Sequence, residues 1–448
     1  MVLPALGRTE LPMNRFLLLI CLLLPLPLLG EVPRAHPPTL IRGGTIWTAT
    51  GQVLENTDIL LQDGKIVTIA PRMVIPADAK VVDATGKIVT PGLVDMHSHL
   101  GVYAAPSAKA HQDGNEMTSP TTPAVRALDA FDPEDPAIAR TLAGGVTTAL
   151  ILPGSGNIVG GQAFYVKLYG KTVADMALPN PPRAMKWAMG ENPKRVYGAK
   201  GQMPMSRMGH AWILRRMLFE AKELRDSQEK WDREGNKTNP RPFKAELEPI
   251  VALLKGEILL QVHCYEVHDI ETLIRISREF DFKIAAIHHA LEAWKVPKEL
   301  KDAGIGVATF ADLWGFKMEA YDASVHGPRM LNEAGVVVAL KSDHPVIDST
   351  WLMNEAAKAH HYGVTEQEAL QMVTRNPAKL IGLSERIGTL EVGKEADVVV
   401  WPANPLNVGV RPERVFVRGV QVVGDGQNLQ SAYSGTGKAI GILHGCDE

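Results

Sequence analysis

His97 and His99 stand two residues apart in the run Pro91-Gly92-Leu93-Val94-Asp95-Met96-His97-Ser98-His99. In a β-strand, residues i and i+2 point to one face, so both imidazoles can grip the same metal ion while Ser98 points away. Leu93-Val94 reads as a buried parallel strand and Pro91-Gly92 as the turn that starts it. Further along, His263, His288, His289 and Asp343 each close another short apolar run. Either His288 or His289 could be a ligand. Four imidazoles and one carboxylate make a nitrogen–oxygen donor set suited to one or two Zn²⁺ ions. A lone buried histidine is more often a core residue satisfied by hydrogen bonds. Five such residues at strand ends are much harder to explain in that way.

The elements that must hold these residues alternate through the middle of the chain. Apolar strand candidates are 93–99, 146–152, 183–190, 257–265, 283–290, 306–310 and 336–343, with helical patterns at 208–231, 242–255, 269–279 and 365–381. Strands alternating with helices mean βαβ units and a parallel sheet. An α/β fold of the (β/α)₈ TIM-barrel type fits better than a doubly wound open sheet. The candidate ligands sit at the C-terminal ends of several strands, which is where barrel sites are built. Both chain ends read as β instead. Residues 58–61 and 65–70 flank Asp63-Gly64, a hairpin signal, and 396–401 and 414–423 read as strands with a turn at Gly419. Neither end alone has enough apolar strand to bury a core. Together they are expected to form one small composite β-sandwich domain, 38–90 plus 386–430, beside a barrel over 91–385, with a tail over 431–448.

The chain has 448 residues and a formal charge of −3, and no basic patch argues for nucleic acid. Met13-Asn14-Arg15 precedes the apolar run Phe16 to Leu29, broken only by Pro25 and Pro27 and followed by polar residues up to Ala35. This pattern fits a signal peptide over 1–35, with Met13 as an alternative start, better than an uncleaved anchor. Cleavage would leave Cys264 and Cys446, too few for a disulfide framework. A periplasmic or secreted protein is expected, touching membrane only during export. Its expected partner is a small-molecule substrate, and a homo-oligomer stays open.

The run that carries His97 and His99 resembles the first barrel strand of the metal-dependent amidohydrolase superfamily. Thr374 to Leu383, followed by Ile387-Gly388-Thr389-Leu390, Gly393-Lys394 and Ala396-Asp397, resembles that superfamily's return into its β-domain. The likeness extends over 38–425, and nearest are the imidazolonepropionase-related members, which include exported peptidase-like enzymes. The resemblance implies His97 and His99 as ligands of a first metal. It implies His263 and His289 as ligands of a second metal or as substrate-facing groups, and Asp343 as a metal-contacting general base. Ile287-His288-His289-Ala290 aligns with the family's Ile-x-His-Gly, with Ala in place of Gly, and this selects His289. On the fourth strand many members bridge two metals with a carboxylated lysine or a glutamate. Lys186 and Glu191 compete for that role, with opposite parity on a regular strand. Glu191 is preferred, at the C-terminal end, and Lys167 is a third option.

A site of this kind hydrolyses a C–N bond. A divalent ion lowers the pKa of water to around 7. Asp343 would take the proton and pass it to the leaving nitrogen, while a second metal or an imidazole stabilises the oxyanion. A dipeptide or an N-acyl amino acid is the expected substrate, ahead of a cyclic amide. The rival is a deaminase, with a single metal and usually a His-x-x-Glu acid, present here as His263-Cys264-Tyr265-Glu266. A non-catalytic binding protein would have lost a ligand or the base. Tyr103 and Tyr265 follow ligand-bearing strands, where they could hydrogen-bond the scissile carbonyl or simply pack. Asp113-Gly114-Asn115-Glu116 could reach into the site or form an exposed turn. Gly154-Ser155-Gly156-Asn157 and Gly160-Gly161-Gln162 lack a phosphate-loop lysine and read as a barrel-top loop.

Overall fold

The computed structural model describes residues 37–234 and 238–424. The expected leader, Cys446 and the tail lie outside the described residues. Five strands come first: β1 (Thr39–Trp47), β2 (Val53–Gln62), β3 (Lys65–Ala70), β4 (Lys80–Asp83) and β5 (Ile88–Pro91). Nine follow through the middle: β6 (Leu93–Ser98), β7 (Val146–Ile151), β8 (Val159–Gln162), β9 (Phe164–Lys167), β10 (Arg183–Ala188), β11 (Ile258–Cys264), β12 (Ile284–His289), β13 (Gly306–Thr309) and β14 (Val338–Leu340). The last three are β15 (Val398–Trp401), β16 (Arg414–Val417) and β17 (Val420–Val423).

Strands from both ends of the chain share one sheet, in the order β17-β16-β15-β5-β1-β2-β3, with β4 pairing another stretch of β1. Asp63 and Gly64 both take left-handed backbone, φ 49° and 74°, so the β2–β3 hairpin turns as the Asp-Gly signal requires. Ile46, Ile59, Val89, Val398 and Phe416 pack together beneath this sheet. β4 and β5 each run parallel to β1, as successive rungs along it.

The central strands divide into two sheets, β14-β13-β12-β11-β10-β8 and β6-β7-β9. β10 to β14 are parallel to one another, and β6 is parallel to β7. β8 and β9 depart from the expected parallel pattern. They are one extended stretch interrupted at Ala163, pairing antiparallel first with β10 and then with β7. Residues 160–162 therefore belong to a strand and not to the loop that their glycines suggest. Gly161 sits at φ 121°, with Val125 only 2.5 Å from where a Cβ would stand, so glycine is needed there. Hydrogen bonds from Asp343 N to His97 O (2.9 Å) and from His99 N to His344 O (3.1 Å) tie the end of β14 to β6.

The helix Arg207–Arg233 starts at the Ser206 cap and buries Ile213, Leu214, Met217, Leu218, Ala221 and Leu224 along one stripe. The single helical pattern over 365–381 is two helices, Glu366–Met372 and Arg375–Leu380. Pro377 has no N–H to continue the ladder across Val373. Among the described residues, no helix is long and apolar enough to cross a membrane.

Candidate metal centre

Period-two alternation puts Asp95, His97 and His99 on one face of β6 and its continuation. All three are buried. Asp343 follows β14 at φ 57°, an unusual conformation for a residue with a side chain. There its Oδ1 lies 3.1 Å from His97 Nε2 and 3.2 Å from His99 Nε2. Asp95 braces the turn. It accepts hydrogen bonds from the Ser342 hydroxyl, the Ser349 hydroxyl (2.9 Å) and Ser342 N (3.3 Å).

Hydrogen bonds fix which nitrogen of each imidazole carries the proton. His99 Nδ1 lies 2.7 Å from the Leu152 carbonyl, which only accepts, so Nδ1 is the donor and Nε2 is left facing Asp343. A longer chain orients His97. Gln261 Nε2 donates to the Leu380 carbonyl (3.2 Å), so its Oε1 accepts from His288 Nε2 (2.7 Å). His288 Nδ1 is then the acceptor for His97 Nδ1 (2.8 Å), and His97 Nε2 keeps its lone pair. Burial pushes His97 and His288 well below the ordinary histidine range, so both rings are neutral. Burial alone would raise the Asp343 carboxyl. The Lys341 ammonium beside it outweighs that and holds it well below the usual carboxylate range. Three electron-rich atoms thus converge from two elements, an arrangement that calls for a cation.

His289 stands beside this trio. Its Nδ1 is 2.8 Å from Lys341 Nζ and 3.6 Å from Asp343 Oδ2, and its buried Nε2 has no partner among the described residues. His263 is buried with neither ring nitrogen partnered, 4.3 Å from His289 between centroids. Buried polar atoms are rarely left unpaired. Three orphaned imidazole nitrogens beside the trio fit a second set of metal ligands. Alternation on a regular strand would let only one of His288 and His289 face inward. The left-handed backbone at His289 (φ 65°) and Ala290 (φ 48°) breaks it, and both rings pack on His97. His288 has both nitrogens engaged and orients its neighbour, whereas His289 keeps a free Nε2.

The preference for Glu191 over Lys186 is not supported by the geometry. β10 ends at Ala188, Gly190 turns the chain at φ 84°, and Glu191 begins the helix Glu191–Gly198. Its half-exposed carboxylate lies 3.4 Å from Lys317, outside the cluster. Lys186 is fully buried, with Nζ 3.3 Å from His97 Nε2 and 3.2 Å from the Pro153 carbonyl. Burial lowers its ammonium to about 7. Lys167 belongs elsewhere. Its Nζ bonds Asp397, lies 2.9 Å from Glu395 and donates to Thr148 (3.0 Å). Glu266, the acid a deaminase would need, is held by Arg207, which also binds Asp269 (3.0 Å).

Around the centre, Tyr265 stacks on His289 at 4.7 Å, and the Lys317 ammonium lies 4.0 Å from the Tyr265 ring centroid. Tyr103 meets His99 edge-on at 5.5 Å. Asp95, Gln261 and Lys341 went unread in the sequence. Each lies two residues before a candidate ligand, and that spacing is the signal that could have found it.

A crystal structure of an amidohydrolase from Thermotoga maritima is 39% identical to this chain, with a TM-score of 0.82, covering 86% of this chain and all of that one. The chain belongs to the amidohydrolase family. The sequence pattern that defines the amidohydrolase family matches residues 325–422, which include Asp343. Amidohydrolase TasK of Hapsidospora irregularis is 37% identical over 422 residues, 85% of this chain and 43% of the relative. The chain thus spans under half of that relative's length. An imidazolonepropionase of Brucella anthropi is 23% identical over 81% of this chain and 93% of its own.

Proposed function

We propose that this amidohydrolase hydrolyses the C–N bond of a small amide, with a dipeptide or an N-acyl amino acid as substrate. The observation that carries this reading is the convergence of His97 Nε2 (3.1 Å) and His99 Nε2 (3.2 Å) on Asp343 Oδ1, with one ligand atom from each residue lying within 4.8 Å of the others. His97, His99 and Asp343 would hold one divalent ion, zinc by the chemistry of the donors. His263 and His289 would hold a second, with Lys186 bridging as its carboxylated form. Bound there, the metal supplies Lewis-acid polarisation and a water acidified toward neutral pH.

The protein's own groups do the rest. Asp343, kept ionised by the Lys341 ammonium, takes a proton from the attacking water as oxygen bonds to the carbonyl carbon. The same carboxyl returns that proton to the nitrogen as the C–N bond breaks, leaving a carboxylic acid and an amine. Deamination is less favoured because Arg207 occupies Glu266. Opening of a cyclic amide remains the second reading, supported by the Brucella anthropi relative.

The β14–β6 hydrogen bonds support closure of β6–β14 into a (β/α)₈ barrel. The shared sheet supports a composite β-domain from 38–90 plus 386–430. The apolar run from Phe16 to Leu29 supports export to the periplasm or beyond. Zinc-loaded protein assayed on dipeptides, N-acyl amino acids and cyclic amides, with amine and ammonia measured separately, tests the reaction. Amine release lost on chelation is expected. Ammonia release alone, or chelator-insensitive turnover, would overturn it.

A further inference from the structure

We propose that the Tyr103 hydroxyl donates a hydrogen bond to the substrate's reacting carbonyl oxygen, aimed there by Asn115. This rests on the reading of the site as a C–N hydrolase. Asn115 accepts the Gly156 N–H through Oδ1 at 3.0 Å, which fixes the orientation of its amide. Its Nδ2 therefore points at Tyr103 and donates to the phenol oxygen. The phenol is an acceptor in that bond, so its own proton is left over. Among the described residues no acceptor takes it. The ring is held where that proton matters. It meets the edge of His99 at 5.5 Å and feels the charge of Asp343. The clamp is glycine on both sides. A Cβ at Gly114 would stand 2.3 Å from the Tyr103 ring, and one at Gly154 would stand 2.6 Å from its hydroxyl and 2.1 Å from Asn115 Nδ2. Gly154 follows Pro153, whose carbonyl receives Lys186, so the hydroxyl borders the centre. A phenol is protonated at neutral pH. A positioned neutral donor stabilises charge developing on a carbonyl oxygen without reorganising.

Asn115→Asp tests the direction of that bond. The new carboxylate keeps the shape and the acceptor for Gly156 but can only accept, so the phenol turns its proton toward it. The probe is methylphosphonate, a tetrahedral oxyanion, titrated calorimetrically into the zinc-loaded full chain. Tyr103→Phe is expected to weaken binding about tenfold. Asn115→Asp is expected to do the same, but to have an effect under about twofold in the Tyr103→Phe background. Equal losses in both backgrounds would mean added charge alone and would overturn the proposal, as would wild-type affinity in Tyr103→Phe or no binding by wild type. A chain that shows the expected pattern but releases neither amine nor ammonia from any amide contradicts the proposed reaction and leaves Tyr103 as an oxyanion donor.

Discussion

His97 and His288 face each other through their Nδ1 atoms at 2.8 Å, and Gln261 decides which of them holds the proton. A side-chain amide one layer below the centre thus sets the lone pair of a candidate ligand above it. Such outer partners typically change metal affinity 10- to 100-fold. Gln261→Leu is expected to weaken zinc binding within about that range while the fold persists. Competition with a chromophoric chelator measures it, and unchanged affinity would show that His97 needs no such partner.

Among the described residues, Asp343 is the carboxylate that touches both His97 and His99. Asp343→Asn should lower kcat by about 10²- to 10⁴-fold at saturating zinc, the usual worth of a general base. Turnover within tenfold of wild type would assign the proton transfer elsewhere.

Lys167 serves stability. It sits between Glu395 and Asp397, and Arg386 adds a second cation at Glu395 (2.6 Å). Burial raises the Glu395 carboxyl, but Lys167 and Arg386 outweigh it and bring it down to about 2. A depressed acid stabilises the fold above its unfolded value near 4.5 and loses that contribution as pH falls toward 2, on the order of 3 kcal/mol. The unfolding temperature is therefore expected to fall as pH is lowered between those values. Lys167→Met leaves the buried Asp397 carboxylate without its cation and Glu395 with Arg386 as its nearest one, and should cost about 3–5 kcal/mol at neutral pH. A variant as stable as wild type would remove this role.

The three buried imidazole nitrogens of His263 and His289 that lack partners among the described residues mean that the metal-free protein holds unpaired polar atoms beside this centre. Zinc should therefore raise the unfolding temperature. A free concentration 100 times Kd adds about 2.7 kcal/mol. Differential scanning fluorimetry with and without a chelator reads this shift, and coincident curves would exclude zinc from the folded chain.

Much of this centre was legible because strand geometry is regular. The spacing of His97 and His99 gave their shared face, and apolar runs ending in His263, His289 and Asp343 gave their position. Legibility failed where the backbone leaves the regular strand. Glu191 looked like a strand-end ligand because the turn at Gly190 is invisible in composition. Lys186 looked too deep, yet a lysine side chain is long enough to carry its amine up to His97. The pair His288-His289 stayed ambiguous because a left-handed residue defeats alternation. β8 and β9 were missed because Gly160 and Gly161 read as loop, and nothing local marks an antiparallel strand between parallel neighbours.

The most direct test is the zinc content of the purified chain by elemental mass spectrometry, beside Lys186→Ala and Glu191→Ala. The expected result is about two equivalents in wild type and in Glu191→Ala, falling to about one or less in Lys186→Ala. Loss of zinc in Glu191→Ala with Lys186→Ala unchanged, or a wild type that binds none, would contradict the centre described above.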